Sequence, residues 1–206
     1  MTPDWAWATH QPMIQALLEI YKVDYILEIG VGNYSTPLFL QNGKEYKGIE
    51  QDPIWIERIK SKFVDADIQL HEVDFEVSEK YSNLTDKQIY DVCSYYSNLK
   101  QDIEGKQGIK LLFVDCFAAS RMYAINILWK LFDIVIFHDS HPRVRKIYGY
   151  DRLKPNYKLY QLESKESWTS VFVKNDVGAI TLRNTLVKYI GMFDERWGVN
   201  SKMNLT

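Results

Sequence analysis

Apolar runs alternate with helical patterns along most of the chain. Five runs predict strands: "DYILEIG", "YKGIE", "IQLHEVDF", "IKLLFVD" and "DIVIFHD". Between them apolar residues recur at helical spacing, as in "QPMIQALLEIY", which begins at Gln11. Strands that are apolar throughout, rather than at alternate positions, are typical of a parallel sheet covered on both faces. The order therefore predicts a doubly wound α/β sheet.

Cap residues and late strands refine this prediction. Ser35, Thr36 and Pro37 are suited to start one helix, and Asp52-Pro53 to start the next. The late segments "YKLYQLES" and "WTSVFVKN" lie close enough along the chain to form an antiparallel pair. We expect a single α/β domain over residues 1–206, with a Rossmann-like sheet that is mostly parallel and has an antiparallel last strand.

Composition narrows the classes of partner. A net charge of −2 and a pI near 6.1 provide no global field that would attract nucleic acid or anionic lipid. Two cysteines do not make a disulfide framework, and no apolar run approaches the roughly 18–20 residues that span a bilayer. The N-terminus lacks the order of a signal peptide. We expect a cytoplasmic protein that binds neither nucleic acid nor a membrane; the oligomeric state stays open.

A glycine loop follows the first strand, in "YILEIGVGNYSTPLFL". Gly30 and Gly32 let the backbone approach a ligand, and Glu50 ends the second strand, where a carboxylate could hold two ribose hydroxyls. Nicotinamide dinucleotides and S-adenosylmethionine both use this geometry. Ser35 replaces the third glycine of the dinucleotide fingerprint, and a charged Glu28 would repel pyrophosphate by about 4 kcal/mol at an effective dielectric near 20. S-adenosylmethionine is the predicted cofactor.

The loop resembles the first motif of class I S-adenosylmethionine-dependent methyltransferases. Glu50 is similar to their ribose-binding acid, and Asp74-Phe75 to the pair that meets the adenine. The resemblance covers roughly residues 12 to 175. It implies an enzyme whose cofactor-binding residues are Glu28, Gly30, Gly32, Ser35, Thr36, Glu50, Gln51, Asp74, Phe75 and Asp115.

Polar residues end the fourth and fifth strands, in a placement similar to that of metal-dependent O-methyltransferases of the catechol type. This resemblance implies Asp115 and Asp139 as ligands of Mg²⁺ or Mn²⁺. Ser140 stands where that family has asparagine, so His141 or a water could be the third ligand. The lysine that follows the first ligand in those enzymes is absent from "DCFAAS".

A closer resemblance is to sugar-directed methyltransferases of the plant glucuronoxylan type. It rests on "VDCFAASRMYAI" followed by "IVIFHDSHPRV", although the loop after Asp115 has less Gly and Pro than in the plant enzymes. It implies cation-assisted O-methylation of a sugar or glycan hydroxyl. His138 or His141 would be the base, and Arg121 would pair with a carboxylate or orient an acidic substrate.

Other interpretations remain open at this point. The chain could methylate a catechol-like or natural-product acceptor, or be a noncatalytic methyltransferase-like binding module. A nicotinamide oxidoreductase is a further alternative. The aromatic lead, with Trp5, Trp7 and His10, could pack against the sheet edge or stack on a sugar.

Overall fold

The protein is described by a computed structural model that covers residues 8–42, 45–64, 67–70, 84–116, 118–148, 150–153, 156–163, 167–175 and 179–205. Eight strands form one sheet in the order β3-β2-β1-β4-β5-β7-β6-β8. The strands are β1 (Val23–Ile29), β2 (Glu45–Glu50), β3 (Ile68–Leu70), β4 (Ile109–Val114), β5 (Ile134–Phe137), β6 (Tyr157–Glu163), β7 (Trp168–Lys174) and β8 (Lys202–Leu205).

Strand directions confirm the predicted fold class. The pairs β1–β2, β1–β4, β2–β3 and β4–β5 are parallel. β7 runs antiparallel to β5 and to β6, so the two late strands pair as expected from the sequence. β8, which was not predicted, adds antiparallel to β6. The strand order reverses between β1 and β4, and ligands of such sheets bind beside the carboxyl ends at this switch point.

Helices cover both faces of the sheet, as the uninterrupted apolar strands require. Seven α-helices are described: α1 (Gln11–Ile20), α2 (Thr36–Asn42), α3 (Pro53–Lys60), α4 (Asp86–Glu104), α5 (Ala118–Leu128), α6 (Pro142–Tyr148) and α7 (Ala179–Trp197). Two 3₁₀ segments, Trp129–Leu131 and Tyr150–Leu153, follow α5 and α6. No described helix is long and apolar enough to cross a membrane.

Alternate residues of each central strand enter two different cores. On β1, Leu27 points into a core with α4 and α5, whereas Ile26 points into a core with α1 and α7. On β4, Leu112 and Phe113 divide in the same way. Both cores are closed to solvent, so the central strands are fixed on both faces and their carboxyl ends have well-defined positions.

Side-chain caps start two of the helices. Asp52 accepts hydrogen bonds from the backbone N–H groups of Ile54 (2.9 Å) and Trp55 (3.3 Å), as predicted for the start of α3. Thr85 and Gln88 form a capping box at the start of α4, in the polar stretch that was only partly interpretable from sequence. Helix α7 was not predicted.

Candidate active site

The loop between β1 and α2 lies against the end of β4. Gly30 has φ +88°, and a Cβ atom at this position would lie 2.4 Å from the backbone oxygen of Asp115. The N–H of Gly30 donates to the carbonyl of Ile49 (2.8 Å), and the N–H of Asp115 donates to that of Ile29 (2.7 Å). Only glycine allows both the positive φ and this close approach.

Glu28 lies beneath the loop with no exposed surface. Its carboxyl accepts hydrogen bonds from the hydroxyls of Ser35, Thr36 (2.8 Å) and Tyr46 (2.6 Å). Thr36 in turn accepts from the N–H of Gly32 (3.0 Å). The Glu28 side chain therefore links the loop to β2 and holds the loop in shape.

The ionisation of Glu28 corrects one step of the sequence interpretation. Burial raises its pKa to about 8, more than the three hydroxyl donors lower it. At neutral pH the side chain is therefore largely uncharged, and it would not repel a pyrophosphate as a charged Glu28 would. The charge of Glu28 therefore does not distinguish between the two classes of cofactor. The sequence interpretation took this carboxyl as charged because the sequence did not reveal how completely it is buried.

Glu50 and Gln51 lie at the carboxyl end of β2. The Glu50 carboxylate accepts from the backbone N–H groups of Val31 (3.2 Å), Gln51 (2.7 Å) and Asp52 (3.2 Å). Burial raises its pKa, against the effect of these backbone donors. The Gln51 side chain donates to Ser120 of α5 (3.3 Å). Both side chains thus fix the rim beside the loop.

Asp115 and Arg121 form a partly buried ion pair after β4. Arg121 Nη2 lies 2.8 Å from Oδ1 of Asp115, and the two side chains are 7% and 26% exposed. Arg121 also donates to the carbonyls of Cys116 (2.6 Å) and His138 (3.1 Å). Burial alone would raise the pKa of Asp115, but His138 and Arg121 hold it at about 2. This carboxylate is ionised throughout the neutral range.

His138 follows β5 and lies behind Asp115. Its Nδ1 is 3.1 Å from Oδ2 of Asp115. Its Nε2 is 2.9 Å from the hydroxyl of Thr9 and 3.3 Å from that of Ser167. Burial lowers the pKa of His138, but the Asp115 carboxylate outweighs it and raises the pKa above its ordinary value. A carboxylate–histidine pair can accept a proton near neutral pH.

His10, which the sequence interpretation placed in the aromatic lead but not among the site residues, lines a cavity beside the loop. Its buried ring meets that of His138 edge-on, with 4.8 Å between the centroids, and that of Phe113 at 5.2 Å. Burial and the neighbouring His138 lower its pKa to about 3, so the ring is neutral. Among the described residues neither of its nitrogens has a hydrogen-bond partner. No pattern in the N-terminal sequence indicates this placement.

A cavity of about 560 Å³ opens between the loop and α3. This volume is within the range of roughly 300–1,000 Å³ that holds small-molecule ligands. Its described lining residues are His10, Val31, Gly32, Asn33, Tyr34, Ser35, Trp55, Arg58 and Asp115. The predicted residues Gly32, Ser35 and Asp115 therefore meet at one cavity, with Trp55 and Arg58 as unpredicted neighbours.

The predicted metal ligands do not form one cluster within the described residues. Asp139 has φ +54°, accepts from Ser167 (2.8 Å) and lies 3.6 Å from Arg121. His141 is exposed, and its Nδ1 accepts the N–H of Arg143 (3.2 Å) at the start of α6. The convergent set is instead His10, Asp115 and His138.

Ser140 lies within the described residues, whereas four other candidate residues do not. The Ser140 hydroxyl lies 2.7 Å from that of Ser170 and donates to the carbonyl of Trp168 (3.1 Å), so it packs on β7. It does not take the place of the asparagine ligand of the catechol-type enzymes. The pair Asp74-Phe75 and the tryptophans Trp5 and Trp7 lie outside the described residues.

Comparison with known proteins identifies the fold. No protein-family model matches the chain, and no curated protein matches it by sequence. An rRNA methylase from Streptococcus thermophilus matches with a TM-score of 0.51 and 10% identity, over 79% of this chain and 93% of that one. A protein assigned as a caffeoyl-CoA O-methyltransferase from Staphylococcus aureus matches at 0.51 and 16%, over 78% and 81%.

A third solved structure shares the same arrangement. It is a protein assigned as a methyltransferase from Streptococcus mutans, in complex with SAH, and it matches with a TM-score of 0.50 and 9% identity. The match covers 79% of this chain and 95% of that one. At these identities the likeness establishes architecture, so the chain has the Rossmann-like α/β fold found in these methyltransferases.

Proposed function

We propose that the protein is an S-adenosylmethionine-dependent O-methyltransferase that acts on a sugar or glycan hydroxyl. The observation that carries the proposal is the closure of the Gly30 loop on Asp115 at the switch point, beside the cavity. The similar structure from Streptococcus mutans holds SAH, the product that methyl transfer from this cofactor leaves. The cofactor would supply a methyl group already activated by its sulfonium.

The loop and the end of β2 would hold the cofactor. Gly30 and Gly32 let the backbone approach its methionine end, and Glu50 retains one acceptor site, on Oε2, for a ribose hydroxyl. Glu28, Ser35 and Thr36 contribute by keeping the loop in this conformation, since their polar groups are bonded to one another. Among the described residues, Trp55 and Arg58 extend the wall on the side of α3.

Asp115 would orient the acceptor hydroxyl, and His138 would accept its proton. Asp115 lines the cavity as an ionised carboxylate, so it can accept a hydrogen bond from a hydroxyl and orient its oxygen. His138, in contact with the same carboxylate, is the favoured proton acceptor. His141 is less suited to this role because its ring nitrogen is bonded to the backbone of α6.

The acceptor class rests on the resemblance to sugar-directed methyltransferases. Arg121, Met122, His138 and Asp139 follow Asp115 in the order found in that family. A catechol-like acceptor is the alternative, since the carboxylates at the ends of β4 and β5 also resemble those of the catechol type. The similar solved structures include an rRNA methylase, so the fold alone does not select the acceptor.

Calorimetric titration with S-adenosylhomocysteine tests the cofactor. We expect one site, and we expect Glu50→Ala to weaken binding by about 1.5–3 kcal/mol, the value of a hydrogen bond to a charged group. Glu57→Ala, on the exposed side of α3, is the matched control and should bind like the wild type. Tighter binding of NADH than of S-adenosylhomocysteine would overturn the assignment.

An acceptor screen tests whether the protein transfers a methyl group and to which class of acceptor. Release of S-adenosylhomocysteine is measured with mono- and oligosaccharides, and in parallel with catechols. Turnover of a sugar supports the proposal, whereas turnover of catechols alone replaces the sugar by the alternative. Tight binding of the cofactor without methylation of any acceptor would favour the noncatalytic binding module.

A further inference from the structure

Three side chains from distant segments converge at the inner wall of the cavity. His10 precedes α1, Asp115 follows β4 and His138 follows β5. One ligand atom from each lies within 4.8 Å of the other two. Both histidines are buried, and Asp115 is partly exposed at the cavity. Two imidazoles and one carboxylate are a common ligand set for transition metals in proteins.

The ring nitrogens that face this point lack hydrogen-bond partners. Both nitrogens of His10 are buried and unpaired within the described residues. Nδ1 of His138 lies 3.1 Å from Oδ2 of Asp115, yet the two atoms are not aligned as a hydrogen bond. Buried polar side-chain atoms are nearly always hydrogen-bonded, so the unpaired nitrogens of His10 beside the Asp115–His138 pair indicate a shared ligand.

The surrounding contacts orient these atoms toward one another. Arg121 holds Oδ1 of Asp115 at 2.8 Å and leaves Oδ2 facing His138. Thr9 contacts Nε2 of His138 at 2.9 Å, which fixes the ring with Nδ1 toward Asp115. In metal sites, hydrogen bonds from neighbouring residues commonly hold the ligand side chains in the orientation that binds the ion.

The local charge is compatible with a divalent cation. Asp115 and Asp139 carry two negative charges, and Arg121 carries one positive charge. Metal binding would displace the proton that Asp115 favours on His138, and with both histidines neutral these three groups sum to −1. The guanidinium is bonded to the far oxygen of Asp115, so it opposes the cation without occupying the position between the three ligand atoms.

We propose that His10, Asp115 and His138 together bind one divalent transition-metal ion, of the kind represented by Zn²⁺. Mg²⁺ prefers an all-oxygen set, whereas imidazole nitrogens favour zinc and its neighbours. The ligand set replaces the predicted one of Asp115, Asp139 and His141, which does not converge among the described residues. Because His10 and Asp115 line the cavity, the ion would stand beside the acceptor hydroxyl of the proposed reaction and make it more acidic. In the metal-bound protein His138 would be a ligand and not the base, and the acidified hydroxyl would lose its proton to water in the cavity.

Metal titration of the full chain tests the site without any assay of activity. The chelator-treated protein is titrated with Zn²⁺ and with Mg²⁺ by calorimetry, and Co²⁺ is followed by its visible absorption bands. We expect one equivalent of Zn²⁺, weaker Mg²⁺, and Co²⁺ bands from a site with nitrogen ligands. His10→Ala should weaken Zn²⁺ binding at least tenfold and change the Co²⁺ spectrum.

His141→Ala is the matched control, because His141 is also close to the end of β5 but outside the cluster. It should bind Zn²⁺ as the wild type does. Retention of wild-type Zn²⁺ affinity by His10→Ala, or its loss in His141→Ala, would refute the site. His138→Ala should also weaken Zn²⁺ binding, and if this variant fails to fold, the affinity and the Co²⁺ spectrum of the His10→Ala protein still decide. Titration with S-adenosylhomocysteine on the same samples separates failure of the metal site from failure of the proposed function.

Discussion

Gly30 and Asp115 are in backbone contact across the switch point of the sheet. A Cβ atom on Gly30 would lie 2.4 Å from the carbonyl oxygen of Asp115 and 2.6 Å from the N of Cys116. These are main-chain atoms, which cannot rotate away as a flexible side chain can. The end of β1 and the end of β4 are therefore fixed relative to each other, and the loop reaches the cavity from a rigid base.

Gly30→Ala is expected to destabilise the protein and weaken cofactor binding. The positive φ alone costs about 1–2 kcal/mol for a residue with a Cβ, and the contact with Asp115 adds to this. Urea unfolding measures the loss. Gly191→Ala is the control, since a Cβ there meets nothing within 4 Å in α7 and should stabilise by about 0.5–1 kcal/mol. Equal stability of the two variants would contradict the geometry.

Glu28→Gln is expected to flatten the pH dependence of stability. Between the ordinary pKa of 4.5 and the folded value of about 8, the folded state holds a proton that the unfolded state has released. The free energy of unfolding therefore falls as pH rises through this window, by up to about 1.4 kcal/mol per pH unit. The contribution of the neutral carboxyl is full below pH 4.5 and is lost above about 8.

Urea unfolding at several pH values between 5 and 8 measures this slope. The amide of Glu28→Gln does not titrate, so the variant should lose the part of the slope that Glu28 supplies. Glu57→Gln, on the exposed side of α3, should keep the wild-type slope. If Glu28→Gln retained the full wild-type slope, the carboxyl would be charged in the folded protein.

Much of the fold was predictable because its signals are local. The apolar runs of β1 and β4, the cap at Asp52 and the two late strands are each encoded within a few residues. β8 was missed because a short edge strand depends on its distant partner β6 for definition. Helix α7 was missed although Leu182, Leu186 and Ile190 recur at helical spacing and are buried.

The candidate site was predictable only at strand ends. Gly30, Glu50 and Asp115 follow apolar runs, and the carboxyl ends of parallel strands share one edge. Thr9 and His10 reach the site from the other end of the chain, and 129 residues separate Thr9 from its partner His138. The burial of Glu28 depends on Tyr46 of the neighbouring strand. No spacing along the sequence encodes such contacts.

Trp55→Phe is expected to weaken S-adenosylhomocysteine binding severalfold. The indole Nε1 donates to the carbonyl of Val31 at 2.6 Å and so holds the loop that lines the cavity. A net contribution of about 1 kcal/mol for one hydrogen bond corresponds to roughly a fivefold change in affinity. Calorimetry measures it. Trp197→Phe is the control because Nε1 of Trp197 has no partner among the described residues; an equal loss in both variants would argue against the loop contact.

Arg121→Ala is expected to destabilise the protein strongly, because it leaves a partly buried carboxylate without its arginine partner. Arg121 bonds Asp115 and the carbonyls of Cys116 and His138 at once. Breaking a buried pair costs about 3–5 kcal/mol, and the lower end applies because Asp115 is 26% exposed. Arg183→Ala, on the exposed face of α7, should change stability by less than about 0.5 kcal/mol.

Two further variants separate the charge of Arg121 from its geometry. Arg121→Lys keeps the charge, but one ammonium cannot bond Asp115 and two carbonyls together, so most of the stability should still be lost. Asp115→Asn combined with Arg121→Ala should cost less than the sum of the single changes, because each single change removes the 2.8 Å partner of a charge that stays behind. The free energies of unfolding in urea of the wild type, Asp115→Asn, Arg121→Ala and the double variant give the coupling. Simple additivity would show that the ion pair does not organise the end of β4.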